Sequence, residues 1–175
     1  MANATMTLIS SQTLGGTTAS VTFSSIPSTY NDLKLVISAR GDAAASNETV
    51  NIKLNGDTAT NYSWTYLLGQ STTLQSGRGT SQTVDTNGGM DAASQTASTF
   101  GAWELYFPNY NSTGSKPYLG ILVAENNATT SSSWLVGATA SLYRGTSGIS
   151  SITLTPGSGN FVQYSDFYLY GIKNS

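Results

Sequence analysis

The side chains that could do chemistry in this 175-residue chain are few, and the usual ones are missing. There is no histidine and no cysteine. That removes the commonest general base, the commonest zinc ligand, the thiol nucleophile and any disulfide. Acid–base work would fall to nine carboxylates: Asp32, Asp42, Glu48, Asp57, Asp85, Asp91, Glu104, Glu125 and Asp166. Two carboxyl groups flanking a bond can hydrolyse a glycoside. Here they are scattered singly, mostly between apolar runs, and only Glu104 and Asp166 fall inside strand-like segments where they could approach across a sheet. Serines abound without a histidine, and no Ser-x-x-Lys occurs. The expectation is a protein that is not an enzyme and uses no metal or cofactor.

Other short signals have plainer explanations. Arg40-Gly41-Asp42 matches an integrin-adhesion tripeptide, but a turn after an apolar strand accounts for it. Asn55-Gly56-Asp57 with Asn61 offers oxygens without the alternating acidic spacing of a calcium loop, and a tight turn accounts for it. Aromatic side chains with polar tips can stack on sugars. Period-two alternation assigns Trp64, Trp103 and Trp134 to a core, leaving Tyr110 and Tyr118, beside turns, as the candidate glycan-stacking surface.

The composition constrains the elements that must hold these residues. Charged residues are 9% of the chain, against roughly 25% in an ordinary domain. Polarity is carried instead by on the order of fifty serines and threonines, far above usual abundance. A net charge of −2, with seven dispersed cations, gives no electrostatic case for nucleic acid or an anionic membrane. No apolar run suits a membrane helix, and the first fourteen residues lack the basic start and apolar stretch of a signal peptide.

Helix formers are scarce, while Thr, Ser, Val and Gly dominate and alternation recurs. The first strand, Thr5 to Thr13, and the segment Ala19-Val21-Phe23 read as an N-terminal hairpin around Gly15-Gly16. Leu33 to Ala39 looks buried on both sides. Val50-Ile52-Leu54, Tyr62 to Leu68, Phe100 to Phe107 and Tyr118 to Ala124 follow as strands. Trp134, Val136, Ala138, Ala140 and Leu142 share one face of another. Ile149 to Ile172 reads as a closing hairpin, its second strand carrying Phe161, Phe167 and Leu169 on one face and Tyr164, Tyr168 and Tyr170 on the other. Large residues on both faces imply a strand covered on both sides. Residues 70–99, poor in large apolar groups, read as a long ordered excursion, with room for short strands, that reaches a neighbour. About ten strands at this spacing imply an all-β fold, a single jelly-roll-like antiparallel β-sandwich domain spanning residues 1–175, with residues 1–14 as an N-terminal strand or arm.

Four stretches carry a resemblance: TLISSQTLGGTTASVTFSSIPSTYNDLKLVISAR, NIKLNGDTATNYSWTYLLG, FGAWELYFPNY and ISSITLTPGSGNFVQYSDFYLYGI. In these the chain resembles small all-β virion structural proteins of tailed bacteriophages, of the capsid decoration, head-fibre and tail-fibre types. The resemblance implies a place on the exterior surface of a virion. The first expectation is a decoration (cement) protein, a homotrimer bound to the major capsid protein. The alternative is a tail- or head-fibre module that recognises a host surface glycan. Met6 and Leu8 in the arm, and Leu74, Val84 and Met90 in the excursion, are the candidate inter-subunit contacts.

Overall fold

The computed structural model describes residues 5–127 and 135–173. Trp134 and residues 1–4 of the arm lie outside the described residues. Among the described residues there are twelve strands: β1 (Met6–Thr13), β2 (Val21–Phe23), β3 (Asp32–Ala39), β4 (Asn47–Leu54), β5 (Tyr62–Gln70), β6 (Thr73–Gln82), β7 (Asp85–Asp91), β8 (Gly101–Phe107), β9 (Lys116–Ala124), β10 (Leu135–Tyr143), β11 (Ile152–Pro156) and β12 (Asp166–Ile172). They form two antiparallel sheets of unequal size. The eight-stranded sheet runs β1-β12-β3-β8-β9-β10-β5-β6, and the four-stranded sheet runs β2-β11-β4-β7. The fold is an all-β sandwich, with somewhat more strands than alternation alone marks out.

One core fills the gap. Leu33, Leu35 and Ile37 of β3, Trp103, Leu105 and Phe107 of β8, and Phe167 and Leu169 of β12 face Val50, Ile52 and Leu54 of β4 and Ile152 and Leu154 of β11. Phe161 and Phe167 meet edge to face at 5.0 Å, a geometry that suits two ring quadrupoles. Phe161, Phe167 and Leu169 are core, as alternation implies.

Only β5–β6, β8–β9 and β9–β10 are hairpins; every other connection changes sheet. This corrects both hairpins read from the sequence. β1 pairs with β12 in the large sheet, whereas β2 pairs with β11 in the small one. The segments joining β1 to β2 and β11 to β12 are therefore arches across the gap, and they bond to each other. Leu14 N–H donates to Ser165 O, Tyr164 N–H to Leu14 O, and Thr18 and Phe161 exchange two backbone bonds. Asn55 and Gly56 do turn the chain, with φ of 54° and 65°, but they too carry it from one sheet to the other.

The excursion at 70–99 is ordered, and its strands are long rather than short. It contains β6 and β7, which are the edge strands of the large and small sheets. β6 looks loop-like in sequence because Gly77 and Gly79 make room for the Tyr66 and Trp64 rings, which lie where a Cβ would otherwise sit.

Candidate functional site

The first candidate is the outer face of the large sheet. In β9 every second residue is buried: Lys116, Tyr118, Gly120, Leu122 and Ala124. The alternate set, Leu119, Ile121 and Val123, is apolar and points outward. In β10 the expected polarity is reversed. Val136, Ala138 and Ala140 are exposed, and the core side is Leu135, Gly137, Thr139, Ser141 and Tyr143. A larger residue does not fit at position 137, because a Cβ on Gly137 would lie 2.8 Å from Leu68 Cδ1.

Register joins these side chains into one surface. Ile121 faces Ala138, which faces Leu67 of β5. Val123 faces Val136, and Leu119 faces Ala140. Leu67, Leu119, Ile121, Val123 and Val136 are 41–58% exposed. Leu74 on β6, opposite Gly69, extends the patch and is 73% exposed. Charge stays at the margin: Glu104, across from Ile121 on β8, pairs with Lys34 Nζ at 2.9 Å. A contiguous apolar surface of this kind marks an interaction site more often than scattered exposed residues do.

The edges of the same sheet are open. β1 is exposed along nearly its whole length, and β6 is a ten-residue edge strand with one fully buried residue, Gly79. Such edges are templates for strand addition. Of the proposed contact residues, Met6, Leu8 and Leu74 are exposed on these two edges. Val84 is half-buried between β6 and β7. Met90 is corrected: it is 1% exposed and belongs to the core, where β7 folds its apolar side chain inward.

Tyr110 and Tyr118 are corrected as well. Both are buried, so neither offers a ring to a glycan. The Tyr110 hydroxyl donates to Pro27 O, and the Tyr118 hydroxyl donates to Asp85 at 2.5 Å. A phenol that finds an internal acceptor can bury its ring, even beside a turn. Burial above all, with Asp85 alongside, pushes the Tyr118 hydroxyl well above its ordinary pKa.

The carboxylates serve as structural acceptors. Asp32 accepts from the Tyr106 hydroxyl at 2.6 Å and the Asn109 amide at 2.8 Å. Asp57 accepts from Asn61 at 2.8 Å and the Tyr143 hydroxyl at 3.0 Å, closing the Asn55 turn onto itself. Asp42 accepts from both nitrogens of Asn160, which hold its carboxyl below the usual carboxylate range. Glu104 and Asp166 do not meet, because β3 lies between their strands. Two strand spacings put them roughly 10 Å apart or more, beyond the usual separations of a glycosidase pair. Among the described residues no three metal-ligating side chains gather. Arg40 of the adhesion-like tripeptide is buried, its guanidinium donating to Thr96 O at 2.8 Å, Thr99 O at 3.0 Å and Gln95 O at 3.1 Å. It holds the 93–99 loop and is not presented to a receptor.

A groove opens where the large sheet overhangs the small one. It encloses about 340 Å³ between β5 and β10 on one side and β7 and the start of β4 on the other. Trp64, which alternation assigns to the core, is only half-buried and forms part of its wall. Trp103 is core, with 2% of its surface exposed. Comparison with family models, with curated protein sequences and with solved structures finds no match to this chain.

Proposed function

We propose that the protein is a virion structural component, a decoration (cement) protein on the exterior of an assembled capsid. One observation carries this reading: the apolar outer face of the large sheet, bounded by two open strand edges. A surface of that kind is suited to association. The one ion pair beside it, Lys34–Glu104, lies at its margin, so contacts across the apolar centre depend little on salt. Self-association into a homotrimer would use the edges by strand addition, and the face would rest on the major capsid protein. The mechanism is mass action. A ligand that binds only the assembled shell shifts the equilibrium toward it, and many copies add their contributions.

Electron cryomicroscopy of the particle that carries the chain tests the proposal. The expected result is density for this sandwich at regular positions over the shell, its β9–β10 face turned toward the capsid or a sister subunit. Density confined to the tail would overturn it. The fibre alternative, glycan recognition, loses Tyr110 and Tyr118 as its surface, since both are core.

A further inference from the structure

An edge strand leaves alternate N–H and C=O groups unpaired, and proteins blunt such edges by shortness, bulges, proline or inward-pointing charge. Three of the four sheet edges here are blunted. β2 has three residues. β7 turns Asp85 and Asp91 into the interior, and its ladder with β4 shifts between Val50 and Ile52. β1 is broken by the shift between Leu8 and Ser10, which leaves regular runs of three and four residues. β6 is the exception. Its ladder with β5 runs unbroken over seven pairs, from Gln70–Thr73 to Trp64–Gly79. That run, Thr73 to Gly79, has no proline and one charge, Arg78. Among the described residues, none of its backbone groups bonds outside the ladder with β5.

The run is complementary to itself. Leu74, Ser76 and Arg78 stand on the outer face, opposite Gly69, Leu67 and Thr65, while Gly77 and Gly79 lie under the Tyr66 and Trp64 rings. Residues paired across two antiparallel strands share a face, so a two-fold axis perpendicular to the sheet must pass at a residue, not between two. With the axis at Ser76 the whole run is paired. Thr73 faces the partner's Gly79, Leu74 the partner's Arg78, and Gln75 the partner's Gly77. The aliphatic stem of each Arg78 then covers a leucine. The two guanidinium groups stand four residues apart along the strands, roughly 13 Å, outside the Debye length of about 8 Å at physiological ionic strength. An axis at Gly77 halves that distance, and an axis at Arg78 sets the two charges against each other. An axis at Gln75 carries Arg78 and Gly79 past the start of the partner's strand.

We propose that β6 pairs antiparallel with β6 of a second copy of this chain, about a two-fold axis at Ser76, joining two eight-stranded sheets into one. The axis stands perpendicular to the sheet, so both outer faces point the same way and form one wider apolar surface. The proposal rests on the strand addition invoked above for self-association, and it fixes the strand, the register and the symmetry. A two-fold contact at β6 leaves β1 and the outer face for three-fold and shell contacts. Pairing in solution and position on a particle are read separately, so failure of one leaves the other standing.

The chain has no cysteine, so single introduced cysteines report the contact. Ser76→Cys meets its own copy across the axis, within disulfide reach. The expected result is a covalent dimer on mild oxidation, reversed by reductant. Arg78→Cys, roughly 13 Å from its copy, should give none. Sedimentation velocity of Leu74→Glu and Leu74→Lys is the second measurement. The introduced carboxylate faces the partner's Arg78, whereas the introduced ammonium repels it, and the contact occurs twice per dimer. Leu74→Glu should therefore dimerise about tenfold more tightly than Leu74→Lys. The net charge of −2 makes bulk repulsion favour the opposite order. All three positions are exposed, so the variants should keep the wild-type circular dichroism spectrum. The proposal is overturned if folded Ser76→Cys does not cross-link, if Arg78→Cys cross-links as readily, or if Leu74→Lys associates as tightly as Leu74→Glu.

Discussion

Ile121 stands at the centre of the outer face, and replacing it separates folding from association. It is 58% exposed, between Ala138 on one side and Glu104 on the other. Full burial of such a side chain is worth about 1.5–3 kcal/mol, so covering the exposed part contributes roughly 1 kcal/mol. Ile121→Thr keeps β propensity and forfeits most of that, an expected loss of about fivefold in affinity. Ile121→Lys adds the partial desolvation of an ammonium group, several kcal/mol at full burial and less where the long side chain reaches the rim. The combined expectation is about 3 kcal/mol, or roughly two orders of magnitude. Folding should be nearly indifferent, with changes within about 0.5 kcal/mol, because the side chain stands on the exposed face and a lysine there faces Glu104. Two assays read the result: sedimentation velocity for self-association, and co-sedimentation with shells stripped of the chain for capsid binding. A folded Ile121→Lys variant that matches wild type within twofold in both would refute the assignment of this face.

Three further outcomes follow from the interior. Stability should be flat from about pH 5 to 9, since no histidine or cysteine titrates there. Asp42 and Asp57 have depressed pKa values, caused first by the side-chain hydrogen bonds from Asn160 and Asn61. Their contribution is present above the ordinary aspartate value of 3.8 and is lost as pH falls through the lower folded values. Tyr143 is pushed up to about 12, chiefly by burial. The unfolded chain ionises it near 10 while the native state keeps the proton, so stability should fall as pH rises from there toward 12. Thermal melts across pH measure both limbs. Gly88→Ala would put a Cβ into the Trp103 ring and 2.7 Å from Val50 Cβ, and overpacking there should cost about 3 kcal/mol in a denaturant titration. A chain truncated before Asn160 loses β12, which lies between β1 and β3, and should show no cooperative unfolding transition by circular dichroism.

Alternation made most of the strands and their core residues legible. Leu33, Leu35 and Ile37, or Trp103, Leu105 and Phe107, are buried as their spacing implies. Sheet membership was not legible, because a glycine turn between two strands looks the same whether the chain doubles back or crosses the gap. The arches at residues 14–20 and 157–165 are held by bonds to each other, a long-range fact with no local signal. β6 reads as part of an excursion because its glycines and polar residues lack large side chains of their own, and the rings that cover Gly77 and Gly79 come from β5. The groove has no signal in the sequence for a related reason. Trp64 alternates like a core residue, and nothing in the sequence shows that β7 ends the small sheet short of it.

The two-faced strands bear most directly on function. A strand with large apolar residues on both faces should be covered on both sides. β9 has Tyr118 and Leu122 inside and Leu119, Ile121 and Val123 outside, yet in the isolated chain only the inner set is covered. β12 shows the same imbalance more weakly, with Phe167 and Leu169 buried and Tyr168 and Tyr170 half-buried. Solvation favours polar residues on an outer face, and this chain is rich in serine and threonine that could occupy β9 without loss of strand propensity. Leucine, isoleucine and valine in their place make the monomer less soluble and do nothing for its core. A second cover from outside the chain reconciles the pattern with the rule. In that case the burial expected for these strands describes the assembly, and the apolar residues that fail it in the monomer identify the contact surface.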